Sequence, residues 1–308
     1  MSSPIFARHE TFHPRYGWIK KGFDAAKKDS KAFIRDDAHV RLGVGKNMVR
    51  SIRYWAHAFK VLEDDPDASG RQRESIPTPF GKFLLGENGA DRYLEDLGSL
   101  WLLHWQLLKE PSMATAWHYV FFKSGRPDLS AKDLTAQLQE FMEAAYPAAR
   151  TAKSSLKKDA TCILRMYGEL PTGTQVSEES IHCPFAELGL LRPTADGKRY
   201  AFRIGRKPGL SNEIITALCL DYAAAGGSTA QTIALNRLLR DEGSPGLALR
   251  LSEADLYGAL EAVAQESSSL ALTEAAGVTQ LSFDNDAAAL SRGILLRHYA
   301  GQTVMEAA

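Results

Sequence analysis

Apolar residues recur every three or four positions along most of the chain, which is the spacing of helices with one buried face. The most apolar stretch is 97–108, where Trp101 and Trp105 lie four residues apart. Alternation of apolar and polar positions, which is typical of strands, is confined to short runs such as 198–204. The pattern therefore predicts a mainly α protein with small β-hairpins.

Cap residues and prolines mark the ends of the predicted helices. Ser130 precedes a helix at 131–145, Asp133 is placed as its capping-box partner, and Pro147 ends it. Two extended runs flank a turn within 270–283. Further helices are predicted at 18–28, 113–122, 154–167, 184–191, 228–241 and 286–299. Two more, ending at Ala225 and Gln265, are predicted to be capped by Ser211 and Ser252.

Polar loops rich in glycine and proline divide the chain into three predicted domains. We expect a winged-helix-like domain at 1–95, a helical and winged-helix-like domain at 96–207, and a helical domain at 208–308. Helices, short turns and extended pieces recur in a similar order, although no sequence repeat is exact. The predicted fold class is tandem winged-helix or helix-turn-helix-like domains with small β-hairpins.

The segment 42–59 has the pattern of a helix-turn-helix unit. A first helix would end near Leu42, and 43–45 would form the turn, because glycine tolerates the positive φ that such turns require. The second helix, 46–59, aligns its apolar residues in one stripe. These residues are Val49, Ile52, Ala56 and Phe59. One alternative is a plain amphipathic helix. Another is a phosphate-binding loop, although the glycines and lysine lack the spacing of that motif.

The opposite face of 46–59 carries polar side chains that suit a DNA major groove. Arginine reads guanine and asparagine reads adenine through paired hydrogen bonds, while lysine holds phosphate. The predicted contacts are Lys46, Asn47, Arg50, Arg53 and Tyr54. A hairpin within 61–80 would place Arg71 and Arg73 at its tip near DNA, although a plain loop fits that composition equally well.

A second basic helix, 154–167, is also a predicted DNA contact, with 131–145 as its packing partner. Its buried stripe would be Leu156, Ala160, Ile163 and Tyr167, and its outward cations Lys157, Lys158 and Arg165. A helix of a simple bundle would show the same pattern, so this reading stays open.

Charge alternates in sign along a chain whose net charge is zero. Residues 1–60 carry an excess of 8 positive charges and 151–207 an excess of 4. Residues 61–150 carry an excess of 5 negative charges and 208–308 an excess of 7. The basic segments can approach phosphates while the acidic ones face solvent or a partner. Ordinary scatter of solvated charge would also give these values.

Signatures of catalysis are sparse. The three cysteines are widely spaced, which argues against disulfides and zinc. Cys162 and Cys219 fall in apolar helical patterns and are expected to be buried. Cys183 precedes a proline in a loop, where its side chain could be exposed. His9 and His13 are four apart, but the neighbouring proline opposes a helical metal pair. We therefore expect no enzymatic activity, cofactor or metal.

No apolar run approaches the roughly 20 residues that cross a bilayer, and the first residues lack a signal-peptide core. The sequence therefore predicts a cytoplasmic protein with no membrane contact.

Several segments together resemble a bacterial family. In chain order they are FARHETFHPRYGWIKKGFDA, LGVGKNMVRSIRYWAHAFKVL, LWLLHWQLL, TAWHYVFF, SSLKKDATCILRMY and CPFAELGLL. They resemble the family called domain of unknown function 4007, over about residues 5–300. The resemblance implies winged-helix proteins encoded in DNA sulfur-modification and phage-defence islands, beside sulfurtransferase-like or phosphoadenosine-phosphosulfate-reductase-like proteins. It supplies no catalytic residues.

The leading hypothesis is a DNA-binding accessory protein of a phosphorothioation-type DNA-modification system or a phage-defence system. Its partners would be double-stranded DNA and a sulfurtransferase or phosphoadenosine-phosphosulfate-reductase-like enzyme, and a homodimer is compatible with the sequence. The alternatives are a non-catalytic adaptor for such an enzyme and a local transcriptional regulator.

Overall fold

A computed structural model describes residues 3–68, 73–169, 183–226 and 230–306 of the chain. About half of the chain is helical, and the strands form small antiparallel sheets, which confirms the mainly α expectation with β-hairpins. Among the helices described, none combines the length and the apolar character needed to cross a membrane.

The N-terminal part consists of helices followed by a hairpin. The turn after α2 is made by Gly43, whose φ of 64° is the left-handed conformation that glycine allows, so the predicted turn is confirmed. All four residues of the predicted apolar stripe on α3 are buried. The elements are α1 (Trp18–Lys28), α2 (Ala38–Leu42), α3 (Lys46–Ala58), β1 (Leu62–Asp64), β2 (Ser75–Pro77) and α4 (Pro79–Leu85).

The middle part surrounds a helix that is buried on nearly all sides, α5. Ser130 accepts from the backbone N–H of Asp133, so the predicted cap of α7 is confirmed. The 3₁₀ helix Pro184–Leu188 packs against α8 and α5. The elements are α5 (Leu97–Leu108), α6 (Thr115–Phe122), β3 (Asp128–Leu129), α7 (Ala131–Ala145), α8 (Lys153–Tyr167), β4 (Leu191–Pro193) and β5 (Tyr200–Phe202).

The C-terminal part begins with a helix capped by Ser211, as predicted. The predicted helix at 228–241 is wrong in its first half. The β-branched residues Thr232 and Ile233 pair with β8 instead, and Ser228 lies outside the described residues. The elements are α9 (Asn212–Ala225), β6 (Thr232–Ala234), α10 (Leu235–Arg240), α11 (Pro245–Leu249), α12 (Glu253–Gln265), β7 (Leu270–Ala275), β8 (Val278–Phe283) and α13 (Ala287–Glu306).

The middle and C-terminal parts repeat one topology. In each, a short strand leads through helices to a hairpin, and the second hairpin strand lies in the middle of a three-stranded sheet. The orders are β3–β5–β4 and β6–β8–β7. The recurrence noted along the sequence is therefore present in the strand order.

One continuous apolar core joins the three parts. It runs from α1 through α5 to α13 and includes four fully buried tryptophans. Polar contacts also span the parts: the Trp101 indole donates to the Pro208 carbonyl at 2.9 Å, and the Ser99 and Tyr299 hydroxyls lie 2.8 Å apart. The division into three domains stays a prediction.

Gly81 holds α4 close to the end of α3, so a side chain there should destabilise the protein. A Cβ at Gly81 would collide with the Val61 carbonyl, and we expect Gly81→Ala to lower the free energy of unfolding by about 2–4 kcal/mol. Urea denaturation followed by circular dichroism measures the change.

Gly258→Ala in α12 is the matched control. A Cβ there meets no atom within 4 Å, so removing a helical glycine should raise the free energy of unfolding by about 0.5–1 kcal/mol. Equal effects of the two substitutions would contradict the packing assigned to Gly81.

Candidate nucleic-acid interface

The first turn of α3 is the exposed end of the predicted recognition helix. Gly45 precedes it in an extended conformation, and Lys46, Asn47 and Arg50 are all exposed. The Arg50 side chain is 68% exposed and lies 3.7 Å from Glu10. This end of α3 therefore offers polar side chains to a ligand.

Tyr54 is not on the exposed face, so that part of the prediction is wrong. The residue is only 7% exposed, because its ring packs against Trp55 at 5.0 Å and lies 6.2 Å from the ring of His9. Burial raises the pKa of the Tyr54 hydroxyl well above its usual value. The N-terminal segment covers the side of α3 that the helical pattern left to solvent.

Arg53 is half-buried and engaged within the chain, so it does not project freely as predicted. Its guanidinium donates to the Arg73 carbonyl at 2.7 Å and to Asp64 at 3.3 Å. Arg53 thereby ties α3 to both sides of the β1–β2 hairpin. The Arg73 side chain is exposed, and Arg71 lies outside the described residues.

The three cations predicted on α8 are exposed. The opposite side of the helix is buried through the predicted stripe. Among the described residues, no ion pair involves any of these three cations. They are Lys157, Lys158 and Arg165. This side of α8 therefore keeps its positive charge available.

A buried contact joins the N-terminal segment to α8. His9 and Asp159 are 0% and 2% exposed, and the His9 Nε2 lies 2.8 Å from the Asp159 Oδ1. The Ala7 backbone N–H donates to the same oxygen at 2.8 Å. The ring of His9 also lies 5.7 Å from that of Trp117, so this junction brings α3, α6 and α8 together.

Desolvation dominates the electrostatics of this junction. Burial raises the pKa of Asp159, although the hydrogen bond from His9 acts in the opposite direction. The carboxyl group is therefore held by its hydrogen bonds within the fold, and it does not line the cleft beside α3.

A large cleft of about 1140 Å³ runs along α3. The N-terminal segment forms one wall, the β1–β2 hairpin another, and the loop around 111–113 contributes to its edge. Arg50 and Arg53 line it, but Lys46 and Asn47 do not. The first turn of α3 therefore lies outside the cleft, and the rest of the polar face of α3 forms part of the cleft wall.

Two cationic residues of this cleft were missed in the sequence, Arg8 and Lys60. The Lys60 ammonium donates to the Lys109 carbonyl at 2.5 Å, and burial lowers its pKa to about 8. His57 also lines the cleft, and burial, followed by the nearby Arg53, lowers its pKa to about 4. At neutral pH the positive charge of the cleft therefore comes from arginine and lysine.

The cysteines do not contribute to an exposed site. All three are buried, so Cys183 is not exposed in its loop, because it packs in the main core beside the 3₁₀ helix. Burial raises the pKa of its thiol well above the usual range. His104 is a core residue, with its ring nitrogens 2.8 Å from the Tyr167 hydroxyl and 3.0 Å from the Ala248 carbonyl.

These features define a mainly helical protein that carries an exposed basic helix and a charged cleft. The chain belongs to the family described as protein of unknown function, DUF4007, whose model matches residues 6–299. The family resemblance seen in the sequence is therefore confirmed. No curated protein matches the chain.

Two solved structures are similar to it. One is a crystal structure of SspB with a bound magnesium ion, with 39% sequence identity and a TM-score of 0.89. The other is a crystal structure of SspB, with 39% identity and a TM-score of 0.88. Each match covers 97% of this chain and 88% of the other.

Asp159→Ala should destabilise the protein, because it leaves His9 and the Ala7 N–H buried without their acceptor. We expect a loss of about 3 kcal/mol or more in the free energy of unfolding, measured by urea denaturation. Asp159→Asn keeps an acceptor oxygen and should cost about 1–2 kcal/mol.

Asp36→Ala removes an exposed carboxylate and serves as the control, with an expected change of less than about 0.5 kcal/mol. If Asp159→Ala were as mild as this control, the junction would not stabilise the fold.

Proposed function

We propose that this protein binds double-stranded DNA through the exposed basic side of α8 and the first turn of α3. The observation that carries the proposal is the exposure of three cations on α8 that form no ion pair among the described residues. They are Lys157, Lys158 and Arg165. Elsewhere, cations such as Arg53 and Arg199 are bound to carboxylates of the chain. Unpaired surface cations on one helix suit the phosphates of a duplex.

Contact with phosphates supplies affinity without reading sequence. Lysine binds phosphate as a point charge, and the side chain suited to reading bases in the first turn of α3 is Asn47, because Arg50 lines the cleft. The proposed binding is therefore strongly salt-dependent and mainly independent of sequence. This favours an accessory role over that of a promoter-specific regulator.

The proposed setting is a DNA sulfur-modification or phage-defence system, which the family resemblance implies. In that setting the protein would be cytoplasmic, would hold DNA for a modification enzyme and would perform no chemistry itself. A winged-helix arrangement of the repeated units is part of the same proposal, supported by their shared strand order.

The magnesium ion of the similar SspB structure raises the question of a metal site here. Over the described ranges, no three or more carboxylate, histidine or cysteine side chains come together in a group that could hold a metal. The described residues thus do not form a dedicated cage for Mg²⁺, and no step of DNA binding is assigned to a metal.

Incubation with supercoiled plasmid in Mg²⁺ tests the non-catalytic role. We expect the plasmid to stay supercoiled while the protein retards it on a gel. Conversion to nicked or linear DNA by the purified protein would replace the accessory role with that of a nuclease.

An adaptor role is the second candidate, and the C-terminal repeat favours it. Its α12 is, like α8, the last α-helix before the hairpin, yet the exposed residues of α12 include Glu253 and Glu261, and the exposed Glu266 follows its end. An acidic helix repels DNA and suits a partner protein with a basic surface. Tight binding of a purified modification enzyme, together with no affinity for DNA, would favour this role over the first.

Lys157→Ala combined with Lys158→Ala should weaken duplex binding and its salt dependence. Each lost phosphate contact lowers the slope of log K against log salt by about 0.9, so the double variant should lose about 1.8. Fluorescence anisotropy with a blunt 20-base-pair duplex, titrated at several salt concentrations, measures both values.

Arg292→Ala combined with Arg297→Ala removes the same charge from exposed positions of α13. This control should bind DNA nearly as the unmodified protein does. Equal losses in the two double variants would show that net charge matters and α8 does not, which would overturn the proposed interface.

A further inference from the structure

The proposed duplex binding assigns no role to the cleft along α3. Its volume of about 1140 Å³ exceeds the roughly 300–1,000 Å³ of typical small-molecule sites. It is lined by the polar side of a helix that the sequence presents as a DNA-reading element. A duplex cannot reach this side of α3. A helix enters a major groove, which is about 12 Å wide, only with a face that projects from the protein surface, whereas this side of α3 forms a wall of the cleft.

Cations are placed on more than one wall of the cleft. Arg8 lies on the N-terminal segment, is exposed, and has no ion pair among the described residues. Arg50 and Arg53 lie on α3, one turn apart, and Lys60 follows the end of that helix. Several cations along one groove suit the phosphates of a single strand.

The carboxylates of the cleft set a limit on its charge. Glu10 lies 3.7 Å from Arg50, and Asp64 lies 3.3 Å from Arg53, while Glu63 also lines the groove. The contact with Asp64 engages Arg53, while the Arg50 side chain stays 68% exposed and Arg8 has no ion pair within the described part of the chain. A ligand with a moderate density of negative charge therefore fits better than a compact polyanion.

Apolar surface fills the rest of the cleft. Phe33 and Phe80 are half-buried and line it, together with Ile34 and Met113. Partly exposed aromatic rings beside cations form the combination that binds single-stranded nucleic acid, because bases stack on the rings while the backbone follows the positive charge. An acidic peptide would use the cations but not the aromatic surfaces.

We propose that the cleft binds a short single strand of DNA, with phosphates along Arg8 and Arg50 and bases against Phe33 and Phe80. The inference rests on the proposed function, because it assumes that DNA is the ligand. It assigns the unpaired strand to the cleft and the duplex to α8. A DNA segment with a single-stranded end or gap would then carry a ligand for each of the two surfaces.

Arg8→Ala combined with Arg50→Ala tests the cleft without touching its buried residues. Anisotropy is measured with a labelled 12-nucleotide oligothymidylate, which has no secondary structure, and with the 20-base-pair duplex. We expect the variant to lose about tenfold or more in affinity for the single strand and less than about twofold for the duplex. Lys157→Ala with Lys158→Ala should show the reverse preference.

A second variant tests the stacking surface. Phe80→Leu keeps an apolar side chain in the wall but removes the ring, and it should weaken single-strand binding about fivefold at unchanged duplex affinity. Arg292→Ala with Arg297→Ala again controls for net charge. Polyglutamate of matched length serves as the competitor, and we expect it to displace the oligonucleotide poorly.

The outcomes separate the two proposals. Unchanged single-strand affinity in both cleft variants, with duplex binding still sensitive to α8, would overturn the cleft assignment and leave the proposed function intact. Efficient displacement by polyglutamate would show that the cleft recognises charge alone, which also overturns it. Single-strand binding without duplex binding would support the cleft and overturn the role of α8.

Discussion

The placement of α3 relative to α8 depends on the buried contact between His9 and Asp159. Two polar side chains without exposure to water are costly to bury, and here the carboxylate gains hydrogen bonds from His9 and from the Ala7 N–H. The His9 Nδ1 has no partner among the described residues, so the junction bears an uncompensated polar atom. The aromatic rings around His9 exclude water and favour this single arrangement.

This junction determines how much of the predicted recognition face of α3 is open to solvent. By holding residues 5–13 across α3, it converts most of the predicted recognition face into the wall of a cleft. The backbone of Phe12 reinforces the arrangement by accepting from the Trp55 indole at 3.0 Å. Among the described residues, no such segment covers the cations of α8, which remain exposed. The N-terminal segment thus makes the basic side of α3 part of a cleft, while that of α8 stays open.

Local features of the fold could be predicted from the sequence, because neighbouring residues cause them. The turn at Gly43, the serine caps and the buried stripes of α3 and α8 all follow from spacing of a few residues. The burial of Tyr54 could not, since its neighbour His9 lies far away in sequence. His9 and Asp159 are 150 residues apart, and no periodicity links them. The cleft, which needs Arg8 beside α3, was hidden for the same reason.

The repeated topology shows that fold alone does not assign the DNA contact. The middle and C-terminal parts share one strand order, yet α8 exposes cations where α12 exposes carboxylates. If the topology itself caused DNA binding, both α8 and α12 should bind DNA. The cations of α8, however, attract phosphate, whereas the carboxylates of α12 repel it. Charge on the surface of each repeat therefore sets its role. Under the proposed function, a duplex would bind α8, while the acidic repeat would suit a protein with a basic surface.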